Sequence, residues 1–166
     1  AGKTILFCEP SCLSAFKEDY PSLLRGEQRE QAKAVAKACQ LWDAYAATLD
    51  LPLNAGPKRI LLHGHCHQKS MGMLGATAKL LAKIPGAQVV DLDAGCCGMA
   101  GSFGYSKRKY EVSKAIGGRK LLPAARAMRE DQVLIASGTS CRHQVADFTG
   151  RQAVHPAIFL ARLLEL

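Results

Sequence analysis

Four cysteines stand just beyond short apolar runs that read as buried strands, and this placement constrains the fold more than any other feature. Arg59–His63 (RILLH) precedes Cys66, residues 87–92 (AQVVDL) precede Cys96 and Cys97, and Gln132–Ala136 (QVLIA) precedes Cys141. Between these runs lie stretches with apolar residues at helical spacing. Strands and helices therefore alternate, the pattern of a parallel sheet covered on both sides. In such a sheet the loops at the carboxyl ends of the strands share one edge. The sequence predicts an α/β domain: a parallel sheet with helices on both faces and cysteine-rich loops gathered at the carboxyl ends of the strands.

The rest of the chain fits this alternation. Residues 4–7 (TILF) read as a short strand, and Pro10 and Ser11 open a helix running to about Leu24. Residues 27–49, rich in Ala, Lys, Gln and Glu and free of Gly and Pro, predict one long helix. Residues 50–57 (DLPLNAGP) form a linker. A helix is expected over 68–84, another over 110–128 with a break near Gly117-Gly118 and Pro123, a short one from Ser140, and a last one from Pro156 to the end.

One internal similarity bears on organisation: TILFCEPSCLSAF near the start aligns with VLIASGTSCRHQV near the end, matching Ser11 with Ser140 and Cys12 with Cys141. With the abrupt opening AGKTILFC, it leads us to expect a piece of a longer polypeptide. Residues 1–57 would be the tail of a first repeat, with a long helix and linker, and residues 58–166 a second repeat.

Composition narrows the chemistry. The seven cysteines are an odd count and no secretory signal opens the sequence, which argues against a disulfide framework and for a reducing, cytoplasmic setting. No apolar run has the length of a membrane span. The formal net charge is +8, but the basic residues are dispersed and aromatics amount to 6%, so nucleic acid is not an expected partner. A solvated basic face or an acidic protein partner is the reading we adopt.

Thiolates are soft ligands suited to zinc and to iron–sulfur clusters, and several of them gathered without a cation would be costly. Cys66, Cys96, Cys97 and Cys141 are accordingly read as ligands of one metal centre. Gly95, Gly98 and Gly101 in AGCCGMAGSFGY would let the backbone wrap an inorganic group and point amides at it. His65 and His67 flank Cys66, and His143 lies two residues past Cys141. Each is placed to coordinate, to donate to cluster sulfur, or to bind a carboxylate. Lys69 and Arg142 beside the centre would raise the potential of an anionic cluster. Cys39, His63 and His155 read as ordinary core or capping residues. A structural zinc module and a thiol enzyme, with Cys97 or Cys141 activated by His143 or His67, are the alternatives these residues leave open.

HGHCHQK, AGCCGMAGSFGY and SGTSCRHQ, with EPSC upstream and AVHPA near the end, resemble the cysteine-rich CCG domain family. That family includes iron–sulfur subunits of glycolate oxidase, cysteine-rich subunits of heterodisulfide reductase, and the C-terminal regions of FAD-linked D-2-hydroxy acid dehydrogenases. The resemblance implies two CCG repeats, with Cys66, Cys96, Cys97 and Cys141 holding a cluster, of [4Fe–4S] type, and Cys12 either closing the first repeat or supplying a further metal ligand across the pseudo-repeat. Many members close each repeat with CxxC, whereas here Gly138 stands where the first thiol would be. The resemblance further implies electron transfer from FAD on a separate domain that oxidises a small 2-hydroxy acid. The implied partners are that FAD-binding domain of the same parent protein and an acceptor, a quinone or carrier protein. The location would be cytoplasmic, with peripheral contact at the inner face of a membrane, and the chain alone is not expected to turn over substrate.

Overall fold

The computed structural model describes residues 2–164. The chain opens with strand β1 (Ile5–Phe7) and helix α1 (Pro10–Ser14), which continues through a wider π-type turn, Ala15–Asp19, into α2 (Tyr20–Leu23). Helix α3 (Gly26–Ala38) gives way to β2 (Cys39–Leu41) and then α4 (Trp42–Ala46). After the linker come β3 (Arg59–His63), α5 (Cys66–Ser70), α6 (Leu74–Leu81) and β4 (Gln88–Asp91). A 3₁₀ turn, Phe103–Tyr105, leads to α7 (Tyr110–Gly117) and α8 (Leu121–Arg126). The described chain ends with β5 (Gln132–Ala136), α9 (Thr139–Thr149), β6 (Ala153–Val154) and α10 (Pro156–Ala161).

Strands β4-β3-β5-β6 form one parallel sheet and β1-β2 a second, also parallel. Along β3 and β5 successive side chains alternate between two cores. Leu61, Leu134 and Ala136 pack with Leu121, Ala125 and Val145 on one face. Ile60, Leu62 and Ile135 pack with Leu80, Leu81, Phe159 and Leu160 on the other. Both faces are thus buried, which is why these strands read as unbroken apolar runs. The α/β expectation holds, with the strands divided between two sheets.

Three local expectations are corrected. The long helix over 27–49 is interrupted at Ala38: Cys39–Leu41 pairs with Ile5–Phe7, and burying Cys39 and Leu41 against Leu13 outweighs helical propensity. The helix over 68–84 is two helices, because Gly72 adopts a left-handed φ of 68° between them. The short strand Ala153–Val154, in a stretch to which the sequence assigned no element, adds a fourth strand to the main sheet beside Leu134 and Ile135.

From β3 the chain crosses to β4 on one side, then back over β3 to β5 on the other. Where the crossing direction reverses, a crevice opens outside the carboxyl ends of the strands. Cys66 follows β3, Cys96 and Cys97 follow β4, and Cys141 lies in the first turn of α9 after β5. The topology delivers all four cysteines to this edge of the sheet.

Candidate metal centre

The crevice is a cavity of about 480 Å³ lined by Ser11, His65, Cys66, His67, Cys96, Cys97, Ala100, Gly101 and Ser140. Three thiols and two imidazoles face one space, from loops that are distant in sequence. Cys66 and Cys96 are half-buried and Cys97 and Cys141 are buried. Cys141 is wholly buried and outside the lining, in the electrostatic reach of Cys97. Cys12 is exposed and outside the lining, although its neighbour Ser11 is part of the wall. Cys8 is exposed as well, while Cys39 is 2% exposed and packs as a small apolar residue.

Electrostatics divide the thiols. The Cys141 hydrogen bond, helped by the nearby His63 imidazole, outweighs burial and holds the Cys97 thiol well below the ordinary range. The interaction with Cys97 and burial push Cys141 up in turn, so the two thiols titrate as one coupled pair. Burial, reinforced by Cys96, raises Cys66 to about 11. His63, at the end of β3, is 1% exposed, and neither ring nitrogen has a hydrogen-bond partner among the described residues. A buried imidazole without a partner calls for a further polar group beside it, such as a water or an ion.

The loop holding Cys96 and Cys97 is fixed from several sides. Lys69 Nζ donates to the Gly95 carbonyl at 2.7 Å, and Gly98 N–H donates to Cys96 Sγ at 3.3 Å. A Cβ at Gly98, where φ is +100°, would lie 2.2 Å from the Ser113 carbonyl oxygen, so only glycine lets the loop close on α7. Gln144 Nε2 meets the Ser113 carbonyl (3.2 Å) and hydroxyl (3.0 Å), tying α9 to α7 behind the loop. Ala100 is held at a positive φ of 43°, a strained conformation for a residue with a Cβ, in the cavity wall itself. Gly101 also lines the cavity.

The His65–Cys66–His67 segment is positioned by a network that the sequence reading missed. His65 N–H donates to Gln68 Oε1 (3.4 Å) and His67 N–H to His65 Nδ1 (3.3 Å), which caps α5. Gln68 Nε2 donates to Thr77 Oγ1 (2.6 Å), and Thr77 donates to Asp43 Oδ2 (2.6 Å), which also accepts from Ser137 Oγ (3.3 Å). The interval His65-x-x-Gln68 has the spacing of a capping box, a signal present in the sequence. Glu9 reaches across to α9, its Oε2 accepting from Thr139 N (2.9 Å) and Oγ1 (3.0 Å), while Oε1 lies 3.9 Å from His65 Nε2. His143 Nδ1 pairs with Tyr105 Oη at 2.9 Å at the rim of a neighbouring pocket, and His155 bonds the Cys8 carbonyl at 3.0 Å. Arg142 spans the Ala136 and Ser137 carbonyls at 3.0 and 2.6 Å.

Among the described residues, no three His, Cys, Asp or Glu side chains close on a single point as a metal ion's cage. The donors surround a space instead, many times the ~30 Å³ share of a water molecule. Three lining thiols, with the buried Cys141 beside Cys97, fit a polynuclear, sulfur-ligated group.

The sequence pattern of the cysteine-rich CCG domain matches residues 60–146, the stretch that builds the cavity. The chain belongs to the cysteine-rich CCG domain family. It is 30% identical to a subunit of the anaerobic glycerol-3-phosphate dehydrogenase of Escherichia coli K12, over 98% of this chain and 41% of that one. It is 26% identical to D-2-hydroxyglutarate dehydrogenase of the same organism, over 99% of this chain and 16% of the relative. A subunit of the dihydromethanophenazine:CoB–CoM heterodisulfide reductase of Methanosarcina barkeri is 26% identical over 99% of this chain and 40% of its own length. The chain thus spans less than half the length of these relatives. No solved structure matches it. Its kinship is with components of oxidoreductases, and no helix among the described residues is long and apolar enough to cross a membrane.

Proposed function

We propose that this CCG domain holds an iron–sulfur cluster, of [4Fe–4S] type, and passes electrons within a flavin-linked oxidoreductase. The observation that carries the reading is the cavity at the switch point, where Cys66, Cys96 and Cys97 face one space with the buried Cys141 close to Cys97. When bound, the cluster supplies one-electron chemistry. The chain's own part is to furnish thiolates and hold the Cys96–Cys97 loop through Lys69 and Gly98. It also exposes the site edge for transfer. Cys97 is 3% exposed, so its depressed pKa suits a ligand better than an attacking nucleophile.

The relatives' names, a glycerol-3-phosphate dehydrogenase component and a D-2-hydroxyglutarate dehydrogenase, support a parent enzyme that oxidises a small hydroxylated acid or ester. We assign it a small 2-hydroxy acid as substrate class, with FAD on another domain, a quinone or carrier protein as acceptor, and a place in the cytoplasm at the membrane's inner face. Residues 1–57 and 58–166 are assigned to successive repeats. The β1-to-α4 and β5-to-α10 segments each run from a strand through helix to a parallel-paired strand and a closing helix, with more helical segments between β1 and β2 than between β5 and β6, and this likeness supports the division.

Iron and acid-labile sulfide, measured on anaerobically purified protein, should appear in near-equal amounts with a broad absorption bleached by dithionite. Cys96→Ser and Cys97→Ser should each lose most of that absorption. Tightly bound zinc without sulfide would replace this reading with a structural metal module. Full iron content in both variants would remove these two cysteines from the ligand set.

A further inference from the structure

The two histidines flanking Cys66 are held in opposite tautomers, and this separates their roles. His65 Nδ1 accepts the His67 backbone N–H at 3.3 Å, so the ring proton of this buried imidazole resides on Nε2, on the side of Glu9. His67 is the reverse. Its Nδ1 meets Ser14 Oγ, and the single Ser14 hydroxyl proton is engaged by the Ser11 carbonyl at 2.9 Å. Ser14 therefore accepts, Nδ1 carries the proton, and His67 Nε2 keeps a bare lone pair. Ser14 is 2% exposed on α1, so this orientation is set by a buried residue outside the segment that carries the CCG motif.

The second observation is a missing thiol. A side chain at Gly138 has no room: its Cβ would lie 2.3 Å from His65 Cδ2 and 3.1 Å from Cys141 Sγ. The position where a closing CxxC would place its first sulfur is filled by the His65 ring, whose Nδ1 lone pair is spent on the helix cap. Of the imidazoles in the cavity wall, His67 alone presents an unprotonated nitrogen in this hydrogen-bond arrangement. An imidazole ligand whose other nitrogen donates to a fixed acceptor is the usual arrangement of a ligating histidine.

The geometry points to His67 Nε2 as a nitrogen ligand of the cluster, completing a thiolate set short by the Gly138 position, with Ser14 as its positioning residue and His65 as a hydrogen-bond donor. The inference rests on the iron–sulfur reading above. A neutral nitrogen in place of a thiolate removes one negative charge and raises the reduction potential.

The test is pulsed EPR on anaerobically purified full-length protein, in the oxidation state that is paramagnetic, with natural-abundance and ¹⁵N-histidine-labelled samples. A strong nitrogen hyperfine coupling should change from the ¹⁴N to the ¹⁵N pattern on labelling. It should vanish in His67→Gln, persist in His65→Gln, and weaken in Ser14→Ala. His67→Cys, which offers a thiolate at the same place, should retain iron and sulfide while the midpoint potential moves down. A cluster with full iron and sulfide but no histidine coupling would overturn this assignment and leave the iron–sulfur reading standing. Coupling that survives in His67→Gln would also overturn it. Absence of iron and sulfide from the purified protein would overturn both.

Discussion

Asp43 shows how one buried residue couples the site to solution conditions. Its carboxyl is 2% exposed on α4 and accepts from Thr77 and Ser137, with the His155 imidazole as its ionisable neighbour. Burial raises its pKa above the ordinary value despite those hydrogen bonds. The folded state therefore retains this proton to higher pH than the unfolded chain, whose carboxyl titrates near ~3.9. Stability from this group is fully present below that value and is lost as pH rises through the folded pKa. Asp43→Asn should abolish that slope, so the stability of the natural protein relative to the variant falls as pH rises above about 4 and then levels. Urea unfolding of both proteins across pH 4 to 7 reads this directly, and parallel curves would show that Asp43 does not titrate differently on folding. At this scale the sequence was partly legible. Cysteines after strands pointed to the cavity because sulfur donors and strand ends are both visible in the residue string. Gly138, by contrast, looked like a lost ligand, and only the packing of His65 against it explains why no side chain can stand there.

Helix α9, which carries Cys141, begins at Gly138 and has no cap from its own side chains. Its cap comes from Glu9, 130 residues earlier, through the Thr139 backbone and hydroxyl. Helix-capping contacts of this kind are worth ~0.5–2 kcal/mol, so Glu9→Ala should lower stability by about that much, with Glu9→Gln, which keeps an acceptor oxygen, losing less. A denaturation midpoint unchanged in Glu9→Ala would mean that the carboxylate contributes nothing to the helix. The same contact explains what the sequence could not show about elements. Strands β3, β4 and β5 were readable because both faces of the main sheet are buried and the apolar runs are unbroken. The 27–49 stretch misled because Ala, Lys and Glu favour helix wherever tertiary partners are ignored. Cys39–Leu41 becomes a strand only because β1 lies beside it. Glu9 opens the quoted EPSC motif, yet its target lay far along the chain, and no local pattern encodes such a pairing.

For the molecule as a whole, the two sheets differ in how well they are protected. Strands β3 and β5 are central, with Ile60, Leu62, Leu134 and Ile135 wholly buried between two layers of helices. The β1-β2 pair has only two strands, with Ile5 and Leu6 41% and 39% exposed and a small core of Leu13, Cys39 and Leu41. A two-stranded unit is marginal by itself. It is held to the main sheet by a few cross-links: Glu9 to Thr139, Ser14 to His67, Asp43 to Ser137, and His155 to the Cys8 carbonyl. Native-state hydrogen exchange should therefore resolve two levels of protection. The β3 and β5 amides should exchange only through global unfolding, and the β1 and β2 amides through a lower-energy opening that leaves the main sheet intact. Every one of those cross-links ends at or beside the cavity wall or the strand ends beneath it. Filling the site should thus bind the smaller sheet more tightly, and its amides should gain protection on cluster loading by a larger factor than those of β3 and β5. Equal protection of the two sheets before loading would show a single cooperative unit, with no separate opening of the segment that positions His67.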